Sequence, residues 1–173
     1  AQEVSEAERI VLPGVGAFGD CLEGLSNVQG MIEALNQAVI VGGKPFLGIC
    51  VGMQLMADKG FEHGEHKGLG WVSGDVKEIP SMGFKVPHMG WNDLIVSQLM
   101  HPVLKGINSG DHAYFVHSFQ FNCSNDEDVL ATVKYGGTIT SIVARGNCVG
   151  TQFHPEKSQA LGLKLISNFL QWK

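Results

Sequence analysis

The stretch that most constrains this chain is residues 44–54, KPFLGICVGMQ. An apolar run over residues 45–49 leads into Cys50, and Gly48 and Gly52 stand two residues to either side of it. G-x-C-x-G is the cysteine form of the nucleophile elbow, a sharp strand-to-helix turn that presents a reactive side chain. Such a turn is too tight for β-carbons beside the nucleophile, and a substrate must approach the backbone closely, so glycine suits both flanks. A helix beginning after Cys50 aims its N–H groups at the thiol, which predicts a lowered thiol pKa and donors for a developing oxyanion. The competing reading is a structural cysteine buried at the end of a core strand, because buried cysteines are common.

The surrounding pattern favours a strand at that place. Residues 9–12, RIVL, form a β-branched run that stops at Pro13, and the glycine-rich PGVGAFGD follows over residues 13–20. This loop lacks the G-K-[ST] of a P-loop and the acidic partner of a dinucleotide fingerprint, leaving an oxyanion or phosphate cradle, or a plain tight turn. Leu22, Leu25, Val28, Met31, Ile32, Leu35 and Val39 recur at helical spacing and predict helix over residues 20–42, ending at Gly42-Gly43. A strand over 45–49, the elbow and a second helix over about 52–59 complete a strand–helix–strand–helix order with parallel strands.

Residues 60–70 read as a loop; His63 and His66 have no third ligand nearby, and no metal site is expected there. Strands are predicted over 71–79 and 85–96, the latter containing PHMGWN, and over 111–122, where aromatics alternate. A hairpin is expected around Gly136-Gly137, a short strand over 147–153, and an amphipathic helix over about 158–171. The expectation is one α/β domain over residues 1–173, with a mostly parallel central sheet and flanking helices.

A cysteine nucleophile needs a base, and the base needs an orienting acceptor. FHPEK, residues 153–157, follows a short strand, where loops gather at the carboxyl ends of parallel strands. Glu156 stands two residues after His154, within reach of the far ring nitrogen once the turn folds back. This predicts Cys50, His154 and Glu156 as nucleophile, base and acid. The bland alternative is that His154 caps the last helix and Glu156 favours its N-terminus. His88, His101, His112 and His117 are each read as structural rather than catalytic.

The bulk numbers close off other classes. A net charge of −5 leaves no basic surplus for phosphate backbones, so nucleic acid is not an expected partner. No uncharged apolar run is long enough to span a bilayer, and the opening AQEVSEAER has no leader pattern. Cys21, Cys50, Cys123 and Cys148 are widely spread and form no C-x-x-C pair, which fits a reduced, cytoplasmic setting.

GICVGMQ with a downstream HPE resembles the class I, triad-type glutamine amidotransferases. PGVGAFGD, KGLGW, PHMGWN, YFVHSF and TQFHPEKSQ, in that order over nearly the whole chain, are more specifically similar to the glutaminase subunits of imidazole glycerol phosphate synthases. The resemblance implies a flavodoxin-like fold and hydrolysis of glutamine through a thioester on Cys50, with no cofactor. It implies an oxyanion hole from the Val51 N–H and, after a peptide flip, the Val15 N–H. It places Gly14, Gly16, Gly52, Gln54, His117 and Ser118 around bound glutamine. Trp91, Asn92, Tyr114 and Lys157 match positions at an interface with a (β/α)₈-barrel cyclase, which would receive the ammonia for histidine biosynthesis in a heterodimer.

Two departures from the family pattern stand out. The strand–helix–strand unit that usually precedes the segment equivalent to RIVLPGVG is absent, and a true deletion there would expose a long strand edge. Phe119 stands where tyrosine is common. Two other functions compete: another class I amidotransferase or a γ-glutamyl hydrolase, which would turn over without a cyclase, and a shortened, non-catalytic binding subunit.

Overall fold

Phe46–Cys50, FLGIC, is buried along nearly its whole length because parallel strands flank it on both sides. The computed structural model describes residues 1–81 and 83–172. Its strands are β1 (Ile10–Gly14), β2 (Phe46–Cys50), β3 (Lys59–Gly60), β4 (His66–Lys67), β5 (Gly74–Glu78) and β6 (His88–Asp93). They continue with β7 (Ile95–Val96), β8 (His112–His117), β9 (Phe119–Cys123), β10 (Val129–Lys134), β11 (Thr138–Arg145) and β12 (Cys148–Thr151). The helices are α1 (Gln2–Glu6), α2 (Phe18–Ser26), α3 (Met31–Leu35), α4 (Val51–Gln54) and α5 (Gln159–Gln171).

The central sheet has six strands in the order β1-β2-β12-β11-β10-β7. Successive side chains leave a strand on opposite faces, and this divides the core in two. Leu47, Ile142, Ala144 and Val149 join one apolar cluster with Leu161, Leu165 and Phe169 of α5. Phe46, Val143 and Cys148 join the other with Phe18, Leu35, Val39 and Met53 from the helical side. Leu161, Leu165 and Phe169 recur every four residues, so one stripe of α5 is buried. The α/β architecture with a central sheet and flanking helices is present. No described helix is long and apolar enough to cross a membrane.

The strand senses correct one expectation: the sheet is mixed, not mostly parallel. β1–β2 and β2–β12 are parallel, whereas β12–β11, β11–β10 and β10–β7 are antiparallel. The cause is connection length. A parallel neighbour needs a long crossover, which residues 15–45 provide, while the short turns at Gly136-Gly137 and Gly146-Asn147 can only reverse the chain.

Other elements break where local competition decides. The helix expected over 20–42 is interrupted: Gly30 takes a left-handed φ of 73° between α2 and α3. Asn36–Val41 then winds as a π-helix, with the Gly42 amide donating to the Gln37 carbonyl at 2.8 Å. The helix expected over 52–59 stops after Gln54, since the Leu55, Met56 and Ala57 carbonyls accept instead from Leu69–Val72 amides at 2.8–3.0 Å. The strand expected over 111–122 divides at Ser118: β8 pairs with β6, and β9 pairs with β5 in a separate four-stranded sheet β4-β3-β5-β9.

Candidate active site

The elbow is a feature of the backbone. Cys50 ends β2 with φ 54° and ψ −110°, a conformation that costs an L-residue energy and is held here by its surroundings. A Cβ on Gly48 would sit 2.6 Å from the Gly52 carbonyl oxygen, and one on Gly52 would run into the Leu12 carbonyl oxygen. A Cβ on Gly14, the register partner of Cys50, would lie 2.8 Å from the Gly52 nitrogen. The three glycines let β1 and α4 close around the turn.

His154 arrives on the neighbouring strand. β12 runs parallel to β2 with Thr151 opposite Ile49, so the residues that follow each strand emerge on the same side. The HPE turn is a 3₁₀ turn over Pro155–Lys157. Ser158 Oγ donates to the His154 carbonyl at 2.7 Å and accepts from the Tyr114 amide at 3.0 Å, and the His154 amide donates to the Tyr114 carbonyl at 3.0 Å. Within this frame His154 Nδ1 lies 2.7 Å from Glu156 Oε1. An ionised carboxylate only accepts, so the ring carries its proton on Nδ1 and leaves Nε2 as a base. Nε2 is buried and has no hydrogen-bond partner among the described residues.

Cys50 and His154 border one cavity of about 350 Å³, together with Val15, Gly16, Val51, Gln54, His117, Ser118 and Lys157. That volume suits a small ligand. Of the residues expected around a substrate, Gly14 and Gly52 do not line it; they set the spacing beneath the elbow. Glu156 does not line the cavity; it contacts His154, which does. Glu62, Pro87, Val116 and Phe119 also line the cavity, and residue reasoning had not placed them there.

The electrostatics reverse one expectation. Burial pushes the Cys50 thiol up to about 11; the Val51 N–H pulls down, Glu156 and Cys21 push further up, and the Gln152 amide pulls down. A one-turn α4 offers too little dipole to offset desolvation. The thiol is therefore protonated at neutral pH, and a base beside it becomes a requirement.

On the loop side, Val15 is 78% exposed and Gly16 has φ 112°. The Cys21 thiol donates to the Val15 carbonyl at 3.5 Å. Trp91 packs edge-to-face on Tyr114 with ring centroids 5.8 Å apart, and Lys157 Nζ stands 6.0 Å above the Tyr114 ring. Trp91, Tyr114 and Lys157 thus meet on one face, while Asn92 turns to His88 and donates to its Nε2 at 3.1 Å. The largest omission was Gln152, whose Nε2 lies 3.7 Å from Cys50 Sγ. The parallel pairing of Thr151 with Ile49 puts the next residue, Gln152, beside Cys50, a signal that only the register reveals.

A profile of the family described as "Glutamine amidotransferase class-I" matches residues 2–172. The chain is 57% identical over 178 aligned residues to the imidazole glycerol phosphate synthase subunit HisH of Brucella suis, covering 100% of this chain and 82% of that protein. It is 55% identical to the HisH subunit of Rhodospirillum rubrum, covering 96% and 78% respectively. In fold it is similar to the structure of PurLQS from Thermotoga maritima, with a TM-score of 0.68 at 22% identity over 95% of this chain and 79% of that one. A profile match over residues 2–172, with an elbow cysteine and a histidine–carboxylate pair bordering one cavity, leads to one conclusion: the chain belongs to the class-I glutamine amidotransferases.

Proposed function

We propose that this chain is the glutaminase subunit of an imidazole glycerol phosphate synthase, and that it passes ammonia to a (β/α)₈-barrel cyclase subunit in histidine biosynthesis. The observation that carries the site is the pairing of a strained Cys50 with a His154–Glu156 couple across one cavity. The HisH relatives support the choice of partner and product.

In this reading His154 Nε2 takes the thiol proton as Cys50 Sγ attacks the side-chain amide carbon of glutamine. A tetrahedral oxyanion forms, held by the Val51 N–H and by the Val15 N–H once its peptide turns inward. The C–N bond breaks as His154 returns the proton to the departing nitrogen, releasing ammonia and leaving a γ-glutamyl thioester. Water, deprotonated by His154, then attacks the thioester; glutamate leaves and the thiol is restored. Glu156 holds the imidazole tautomer and stabilises the imidazolium. Gly16, Gln54, His117 and Ser118 line the space around the substrate. Trp91, Tyr114 and Lys157 belong to the face toward the cyclase, whereas Asn92, expected with them, is tied to His88 and the Lys134 carbonyl.

A high thiol pKa supports an enzyme that is slow until its partner binds. The test is glutamate release by the chain alone and by the chain with a barrel cyclase and its ligand. Strong stimulation is expected; equal turnover in both assays favours a γ-glutamyl hydrolase. The setting, in this reading, is the cytoplasm.

A further inference from the structure

Gln152 is fully buried, and both ends of its carboxamide are used. Its Nε2 points at Cys50 Sγ, 3.7 Å away, and its Oε1 accepts from Gln54 Nε2 at 3.0 Å. Its own backbone is tied down, since the Gln152 amide donates to the Ser141 carbonyl at 2.8 Å. Gln54 in turn donates to the Phe119 carbonyl at 3.1 Å. That donation fixes the orientation of the Gln54 amide, and Gln54 fixes the orientation of Gln152.

The chain of bonds continues along the cavity wall and then beyond it. The Phe119 carbonyl also accepts from His117 Nδ1 at 2.8 Å, so the His117 proton sits on Nδ1 and its Nε2 is an acceptor. His88 Nδ1–H donates to that Nε2 at 2.9 Å, and His88 Nε2 accepts from Asn92 Nδ2 at 3.1 Å. Asn92 spends its other N–H on the Lys134 carbonyl at 3.1 Å. His88 is clamped between Phe115 and Tyr135, with ring centroids at 4.7 and 4.1 Å. Donors run from Asn92 through His88 and His117 to the Phe119 carbonyl, which accepts a second bond from Gln54, and from Gln54 they run through Gln152 to the nucleophile. A buried network satisfied in this way is stiff, and its members hold one another in place.

We propose that Gln152 is a positioning residue for the glutaminase reaction: its carboxamide holds the Cys50 sulfur and the Gln54 side chain in one frame, so that nucleophile and bound substrate meet in fixed geometry. The inference rests on the glutaminase reading above and adds a residue that the Cys50–His154–Glu156 set does not contain. Its two polar atoms act differently. The Nε2 donor stabilises a developing thiolate, which serves turnover. The Oε1 acceptor anchors Gln54, which serves binding.

The test compares two variants with the wild type, each in complex with the barrel cyclase, by steady-state glutamate release. Gln152→Met fills the space but removes both polar atoms; kcat falls on the order of tenfold and KM rises several-fold. Gln152→Glu keeps an acceptor for Gln54 but places a negative oxygen beside the sulfur; kcat falls on the order of tenfold or more while KM stays within about twofold. This difference in the kcat and KM split separates positioning from a packing role, which would lower stability and leave both constants of the folded enzyme unchanged. Both variants within about twofold of wild type in kcat and KM overturn the role of Gln152 and leave the glutaminase reading intact. A wild-type complex that releases no glutamate overturns both. Should Gln152→Met not fold, Gln152→Glu alone decides; failure of both to fold makes Gln152 a core residue and overturns the proposal.

Discussion

His154 Nδ1 lies 2.7 Å from Glu156 Oε1, across a turn in which a single proline separates the two residues. The imidazole is buried while the carboxylate is about half exposed. The geometry holds the ring by its far nitrogen, and Nε2, which has no hydrogen-bond partner among the described residues, lies buried beside the cavity that Cys50 also borders. Because the Cys50 thiol is pushed up to about 11, the reaction cannot begin from a preformed thiolate at neutral pH. In the proposed mechanism proton transfer to His154 is the entry step, and Glu156 orients its ring.

Glu156→Gln therefore lowers kcat by on the order of a hundredfold with KM within a few-fold, since the amide can reproduce the contact but not the charge that supports an imidazolium. Steady-state glutaminase assays of the cyclase complex check it. A kcat within a few-fold of wild type would remove Glu156 from the mechanism.

Gly52→Ala disrupts the fold of the elbow as well as its chemistry. The added Cβ meets the Leu12 carbonyl oxygen, a backbone atom that cannot rotate away. A loss of stability of about 1–3 kcal/mol is expected from overpacking at a tight contact, with glutaminase turnover lost. Urea unfolding of the variant and wild type measures the first, and glutamate release the second.

The buried His88–His117 pair makes the chain acid-sensitive. Burial holds both side chains down to about 4, while in the unfolded chain they titrate near 6.5. Between those values the unfolded state binds more protons than the folded state. The contribution to stability is fully present above about pH 6.5 and is lost as pH falls through about 4. Urea midpoints measured from pH 7 to pH 4.5 should drop steadily, by on the order of a few kcal/mol in free energy. A flat profile would contradict the buried, neutral pair.

Trp91→Ala tests the face assigned to the cyclase. Trp91 is 48% exposed and Met89 beside it is 61% exposed, so the chain itself loses little on truncation. Loss of a large aromatic anchor at the centre of an interface costs about 2 kcal/mol or more of binding, equivalent to some thirtyfold in Kd. Titration calorimetry with the barrel subunit reads the affinity, and thermal unfolding of the isolated chain should be nearly unchanged.

Much of this was legible because it is local. Gly48, Cys50 and Gly52 need only a tight turn to explain them, and His154 and Glu156 lie two residues apart. The central strand is visible in its unbroken apolar run. What could not be read depends on distant partners. The end of α4 is set by amides some fifteen residues away that take the Leu55, Met56 and Ala57 carbonyls. The upward push on Cys50 comes from burial, which only the assembled core creates. Gln152 meets Cys50 through strand register, and His88 meets His117 through the β6–β8 pairing. The segment 111–122 carries one alternating pattern but serves two sheets, because Ser118 turns the chain between them.

The most direct measurement is Cys50→Ala in complex with the barrel cyclase, assayed for product formation from glutamine and, separately, from added ammonia. The account predicts that glutamine-dependent synthesis and glutamate release are abolished while ammonia-dependent synthesis and complex formation stay near wild type. Glutamate release retained by Cys50→Ala would contradict the assignment of Cys50 as the nucleophile.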